Sequence, residues 1–255
     1  MECMSLLGFS ACAPDPGLRA DLPFPVFDIN RDSIPPMLRR RSSQATQMAF
    51  SVASAVCAKT RRSAAALPAV FASVAGEIQT TDLLCTELVK PEGVISPSAF
   101  HNSVQNTAAG YWSIAQQCMQ PSSSLAAGCD TFAMAVLEAW CQLSCHGGEL
   151  LLVCYDERWP AYLDTARGEP AFACALVLAA EAVDGAIAHI GRPHLGAELF
   201  PAEWAPLANK MPVLAAIPLL DLVAAGGAAQ NIPVSTLVPG WQVRISLLNT
   251  IPAPA

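Results

Sequence analysis

Charge is scarce in this chain. Lys, Arg, Asp and Glu make up 14% of its 255 residues, against about a quarter in ordinary soluble domains. The charges present sum to −7, the wrong sign for tracking a phosphate backbone, which argues against a nucleic-acid-binding protein. Long apolar runs are missing as well. The longest, AFACALVLAA, is closed by Glu169 and Glu181 and is too short to span a bilayer. The N-terminal stretch MECMSLLGFSACA has a short apolar run but no basic segment before it, and FSAC is a poor lipoprotein signal, so no secretion signal is expected. No Gly-rich phosphate loop occurs, and the Gly147-Gly148 pair reads as a helix stop.

What is abundant is hydrophobic surface, 53% of residues. A chain of this length buries about 70–75% of its unfolded surface on folding. So apolar a composition implies either a large layered core or extensive burial against a partner. Ten cysteines occur, at 3, 12, 57, 85, 118, 129, 141, 145, 154 and 174. Several fall inside apolar patterns, where a thiol behaves as a small hydrophobe, so a reduced, cytoplasmic protein is expected. Positive charge is concentrated. Arg31, Arg39, Arg40, Arg41, Lys59, Arg61 and Arg62 are seven of the fourteen cations and share residues 31–62 with one acid, Asp32. That segment is either a solvated helix face or a docking patch for an acidic partner.

The pattern alternates strand and helix. Residues 5–9 read as a strand, SIPPMLRRRSSQATQMAFSVASAVCAK as one helix capped by Ser33, LPAVFASVAG as a buried strand and EIQTTDLLCTELVK as an amphipathic helix. PEGVISPSAF reads as a loop, NTAAGYWSIAQQC as a helix, SSSLAA as a strand, CDTFAMAVLEAWCQLSC as a helix and ELLLVCYD as a strand. In the helix after SSSLAA, Phe132, Val136, Ala139, Trp140 and Leu143 form one apolar stripe. AFACALVLAA, GAIAHIGRP and WQVRISLLN read as further strands, and residues 201–227 as helix broken by prolines. This is an α/β chain whose continuous apolar strands are covered on both faces.

Metal binding has little support. CQLSCH sets Cys141, Cys145 and His146 within one helical turn, without a second ligand pair at metal-site spacing. His189 and His194 have no nearby acid cluster.

The stretch from Ser96 to Cys129, SPSAFHNSVQNTAAGYWSIAQQCMQPSSSLAAGC, resembles the segment before the nucleophile in β-ketoacyl synthases of the thiolase superfamily. Asn106-x-x-Ala109-Gly110 and Ser113-Ile114 look like the family's helix. Pro121-Ser122 opens its nucleophile strand, and Cys129 stands at the nucleophile position. PPMLRRRSSQATQMAFSVA, VFASVAGEIQTTDLL and LLVCYDERWP resemble a smaller group, the short ketosynthase-like proteins of type II polyketide systems for aryl polyene and xanthomonadin-like pigments. The resemblance implies a truncated thiolase-like fold, a layered α-β-α arrangement with a mixed sheet. It implies one truncated domain over 1–255, in which residues 1–180 resemble the ketosynthase N-terminal half and 181–255 diverge.

Decarboxylative condensation needs a thiolate to carry the acyl chain, and in this family two downstream histidines as well. None of the family's downstream histidine or Lys motifs is recognisable here. The residues after Cys129 depart from the family's small ones. Asp130 opposes a second negative charge on the sulfur, and Phe132 would crowd an acyl pocket. Cys129 therefore reads as vestigial, and the chain as a chain-length-factor-like partner of a full-length ketosynthase. By the resemblance, Phe100, Ser103, Val104, Gln105, Asn106 and Phe132 would lie at the substrate tunnel or dimer interface. Arg39, Arg40 and Arg41 would assist docking of an acyl carrier protein or brace the fold. No cofactor is implied beyond the carrier's phosphopantetheine, which presents the substrates. Two other readings stay open: a stand-alone acyltransferase or thioesterase using Cys129 with His189 or His194 as base, and a scaffold whose dimer is its whole function.

Overall fold

Continuous apolar stretches become strands with both faces covered, as their lack of alternation implies. The computed structural model describes residues 1–163 and 170–248. In chain order it forms β1 Cys3–Cys12, α1 Pro16–Asp21, α2 Pro36–Arg39, α3 Gln44–Thr60, β2 Ala69–Ala72, α4 Ile78–Leu88, α5 Pro97–Asn102, α6 Thr107–Gln116, β3 Ser122–Leu125, α7 Thr131–His146 and β4 Glu149–Asp156. There follow β5 Phe172–Ala179, β6 Ala188–Gly191, β7 His194–Gly196, α8 Ala205–Lys210, α9 Ile217–Ala225, β8 Gln230–Pro233 and β9 Gly240–Leu247.

The strands make one mixed sheet in the order β3-β2-β4-β5-β1-β6-β9-β7, with β8 also paired to β9. β3, β2 and β4 are parallel, and the remaining pairings are antiparallel. Period-two alternation then sorts side chains between two cores. On β5, Phe172, Cys174, Leu176 and Leu178 join Phe132, Val136 and Trp140 of α7 on one face. Ala173, Ala175, Val177 and Ala179 join Met48 and Phe50 of α3 and Trp112 of α6 on the other. The α-β-α layering with a mixed sheet is thus realised. The C-terminal third adds β6–β9 to the same sheet. Its turn Pro212–Ala216 and helix α9 cover the α7 side, where Val213, Leu214, Leu219 and Leu220 enter the α7 core.

Some local expectations need correction. The long helix does not start at Ser33. Pro35 and Pro36 begin only the single turn α2, and α3 starts afresh at Ser43, whose Oγ accepts from the Thr46 N–H at 3.0 Å. The presumed loop before Phe100 contains α5, capped by Ser96 with Pro97 in the first turn. Strands β7 and β8, three and four residues long, pair with β9 and had no periodic signal.

Candidate functional site

Helix α7 connects β3 to β4, which run parallel with β2 between them, so the turn after β3, which carries Cys129, lies at the carboxyl ends of the three parallel strands. That end of an α/β sheet is where ligand-binding loops collect. Gly128, at φ +57°, lets the chain turn sharply before the partly exposed Cys129. The turn is pinned from several sides. Thr131 Oγ1 donates to Gly128 O at 2.8 Å and accepts from the Ala127 N–H at 3.0 Å. Asp130 Oδ1 accepts from Ser235 Oγ at 2.5 Å, so the β8–β9 connection reaches back to the start of α7. Asp130 makes no side-chain cap bond to the helix.

Beside this turn lies a buried acidic group that sequence reasoning did not single out. Asp156 ends β4 and is 1% exposed. Its Oδ1 accepts from Ser73 Oγ at 2.6 Å and from the Val74 N–H at 2.9 Å, while its buried Oδ2 has no partner among the described residues. Burial pushes its carboxyl up to about 7, with those hydrogen bonds acting the other way. Glu157 bridges two helix starts, accepting from the N–H groups of Ala45 at 3.2 Å and Gln79 at 3.1 Å. Burial pushes it, too, up to about 7. Glu77 accepts from Thr46 Oγ1 at 2.6 Å, and burial again raises it. The available signal was two adjacent acids closing an apolar strand.

The α5–α6 segment gathers some of the expected interface residues and separates others. Phe100, Val104, Asn106, Gly110 and Ile114 line one hollow of about 360 Å³ on the outer surface. Phe100 is 64%, Val104 50% and Ile114 67% exposed. The serine Ser103 hydrogen-bonds locally to Phe100 O. Gln105 does not face the hollow through its amide, which instead donates inward to Ser73 O at 3.0 Å and Leu125 O at 3.5 Å. Phe132 is fully buried in this chain's own α7 core, where its position in the helix stripe rotates it inward. Arg39 braces its own segment, with Nη1 3.4 Å from Asp32 and Nη2 donating to Ile34 O at 3.3 Å. Arg40 and Arg41 are exposed.

The two histidines proposed as bases are directed elsewhere. His194 Nδ1 lies 3.1 Å from Arg192 O and its Nε2 2.9 Å from the Gln242 side chain, while His189 Nδ1 faces Ser5 Oγ at 3.4 Å. His189 sits within β6 between β1 and β9, and His194 on the outermost strand β7. The stand-alone reading, which requires one of these rings to take a proton from Cys129, is therefore not supported. Cys141, Cys145 and His146 are exposed, and no group of three or more candidate ligands among the described residues is arranged to hold a metal ion. No described helix is long and apolar enough to cross a membrane.

Comparison with known proteins agrees with this geometry. The family model of the β-ketoacyl synthase N-terminal domain matches residues 14–195. A search of curated proteins returns no match. Among solved structures, the chain is similar to one from the ketosynthase ApeO in complex with its chain length factor ApeC from Xenorhabdus doucetiae. That match has 22% identity and a TM-score of 0.70, and covers 96% of this chain and 100% of that one. The ishigamide ketosynthase/chain length factor gives 16% identity, TM-score 0.68, 97% of this chain and 100% of that one. A type II polyketide assembly described as an acyl-carrier protein in complex with its ketosynthase bound to the hexaketide gives 12% identity, TM-score 0.71, 97% of this chain and 100% of that one. With a family model spanning most of its length and a thiolase-like layering around the Cys129 turn, the chain belongs to the β-ketoacyl synthase N-terminal domain family.

Proposed function

We propose that this chain is a non-catalytic, chain-length-factor-like partner of a complete ketosynthase in type II polyketide biosynthesis, making a polyene of the aryl polyene class. The observation that carries the reading is the pairing of an open sheet edge with an apolar face. β3 is the terminal strand of the sheet, four residues long, with its outer edge unpaired among the described strands. α6 packs against β2 and β3 and presents the Phe100–Val104–Ile114 hollow outward. Exposed apolar residues clustered around one hollow, beside an unpaired strand edge, are what a partner-binding surface requires. The placement of His189 on β6 and His194 on β7, each directed to other partners than Cys129, supports assigning condensation to the partner.

In this reading the partner supplies the nucleophile and both histidines, and this chain closes one wall of the growing chain's tunnel with Phe100 and Val104. Acyl groups arrive on the phosphopantetheine of an acyl carrier protein, and the chain needs no cofactor of its own. Arg40 and Arg41 are the exposed cations available for an acidic carrier, whereas Arg39 is held by Asp32. The complex works in the cytoplasm.

A tagged copy purified from its host should bring down a complete ketosynthase in equal amount. Val104→Trp should then shorten the product or abolish the complex. Unchanged product length together with an intact complex would refute the tunnel role, and a tagged chain recovered without any ketosynthase would refute the partnership.

A further inference from the structure

An apolar face standing in water faces a physical problem: its side chains gain by collapsing onto their own surface, and a partner must then pull them out again. Any ordering left until binding is subtracted from affinity. Here the α5–α6 face is held from behind by two amides, the buried Asn102 and the half-buried Gln105. Asn102 is 5% exposed; its Nδ2 donates to Arg41 O at 2.7 Å, its Oδ1 accepts from Tyr111 Oη, and its backbone carbonyl accepts from Thr107 Oγ1 at 3.0 Å. That fixes one side of the Ser103–Asn106 connection. The other side is fixed by Gln105, whose Nε2 lies within reach of Ser73 O and Leu125 O, the first residue beyond β2 and the last residue of β3.

The receiving end is built for this amide. Leu125 O also accepts from the Ser73 N–H at 3.1 Å, so the two strand ends are already tied. Ser73 Oγ donates to Asp156 and accepts from the Gly76 N–H at 2.7 Å, closing the turn after β2 around the buried carboxylate. Gly76 adopts φ +58°, and a Cβ there would stand 2.5 Å from Gln105 Oε1 and 3.3 Å from Gln105 Cα. The missing side chain at 76 is what admits the Gln105 side chain.

We propose that Gln105 is the positioning residue of the docking face, its amide clamping the α5–α6 connection onto the ends of β2 and β3 while Asp156 fixes the turn that it clamps. The proposal rests on the reading of this face as the ketosynthase-binding surface. It assigns Gln105 a role distinct from lining the tunnel. Phe100 and Val104 touch the partner, and Gln105 sets where they stand. Because Leu125 O is one of its two acceptors, the same clamp ties the docking face to the strand that leads into the Cys129 turn.

The test uses the full chain and the ketosynthase that co-purifies with it. Gln105→Met keeps the side-chain length and removes the donor. Its dissociation constant is expected to rise about tenfold, the cost of moving the ordering into the binding step. Amide hydrogen exchange should quicken over residues 97–110 and leave β4 and β5 unchanged. Gln105→Glu provides a second, internally controlled variant. Ionised at about pH 7 it has no proton to offer two carbonyl oxygens, and mostly neutral only at about pH 3.5, below the ordinary carboxyl value of about 4.3, it donates again. Its affinity relative to the unsubstituted chain should therefore drop at the higher pH and recover at the lower.

Gln105→Met binding as tightly as the unsubstituted chain, or a Gln105→Glu ratio that ignores pH, would overturn the clamp. A purely structural role would lower the melting temperature without the pH-reversible change in affinity, and would likewise overturn it. Val104→Trp separates the two levels. If it blocks binding while Gln105→Met does not, only the clamp fails. If Val104→Trp also binds normally, the face is not the docking surface and the reading beneath the proposal fails with it.

Discussion

The buried carboxylate at the end of β4 makes the chain's stability depend on pH in an unusual direction. Asp156 is nearly inaccessible, with one oxygen hydrogen-bonded and the other lacking a partner among the described residues. Burial raises its carboxyl from 3.8 to about 7. Between those values the folded chain keeps the proton and the unfolded chain has released it. Because the folded state binds more protons there, stability falls as pH rises, and it levels off above about 7. At 1.36 kcal/mol per unit, the full shift corresponds to about 4 kcal/mol for Asp156 taken alone. Glu157, raised from 4.5 to about 7, and Glu77, raised by burial, push in the same direction. They also repel one another, so their effects do not simply add.

The perturbation to make is Asp156→Asn, which imitates the protonated acid in shape and hydrogen-bonding capacity. Its carbonyl oxygen can still accept from Ser73 and Val74. Urea denaturation midpoints from about pH 5 to about pH 8 should fall by several kcal/mol in equivalent stability for the original chain and by clearly less for the variant. At the upper end the variant should be at least as stable as the original. Stability that stays flat or rises across this range, or a variant with an undiminished slope, would refute the account of Asp156 as a proton-holding group.

Three other outcomes can be checked directly. Phe132→Ala, which empties a fully buried position in the α7 core, should cost about 3–5 kcal/mol by denaturant unfolding, against less than about 1 for Phe100→Ala in the isolated chain. Under native conditions a thiol reagent should label the exposed Cys85, Cys141 and Cys145 first and reach Cys12, Cys57, Cys154 and Cys174 only on unfolding; burial pushes the Cys12 thiol up to about 12. Peptide mapping of the labelled cysteines reads this out. Gly76→Ala, which needs φ +58° and crowds Gln105, should destabilise by about 1–3 kcal/mol and weaken ketosynthase binding alongside Gln105→Met.

Legibility from sequence followed how self-contained each signal was. Glu149–Asp156 was readable to the residue as β4, because an uninterrupted apolar run between a Gly-Gly stop and two acids fits only a doubly covered strand. The α7 stripe was equally plain, and its residues Phe132, Val136, Ala139, Trp140 and Leu143 are all buried. α5 escaped notice because six residues offer less than two turns of periodicity, and its cap, Ser96, sits among prolines that also signal loops. The break at Arg40–Ser43 was hidden because a basic run can continue a helix as readily as end one. The resemblance singled out the α5–α6 segment, yet the orientation of Gln105 depends on Ser73 and on the missing Cβ of Gly76, both about thirty residues upstream. Nothing in the sequence marks Asp156, Glu157 and Glu77 as buried. Only the packing of the α3 and α4 N-termini against β4 removes them from water.

The bond from Ser235 to Asp130 spans 105 residues, and that separation sets an order in time. Everything that shapes the docking face, from Arg41 through Gln105 and Leu125 to Asp156, has been synthesised before the ribosome reaches β5. At about 5–20 residues per second, the turn carrying Cys129 then waits several more seconds for the segment that secures its carboxylate. The segments proposed to face a partner are thus synthesised early, and the Cys129 turn is secured last.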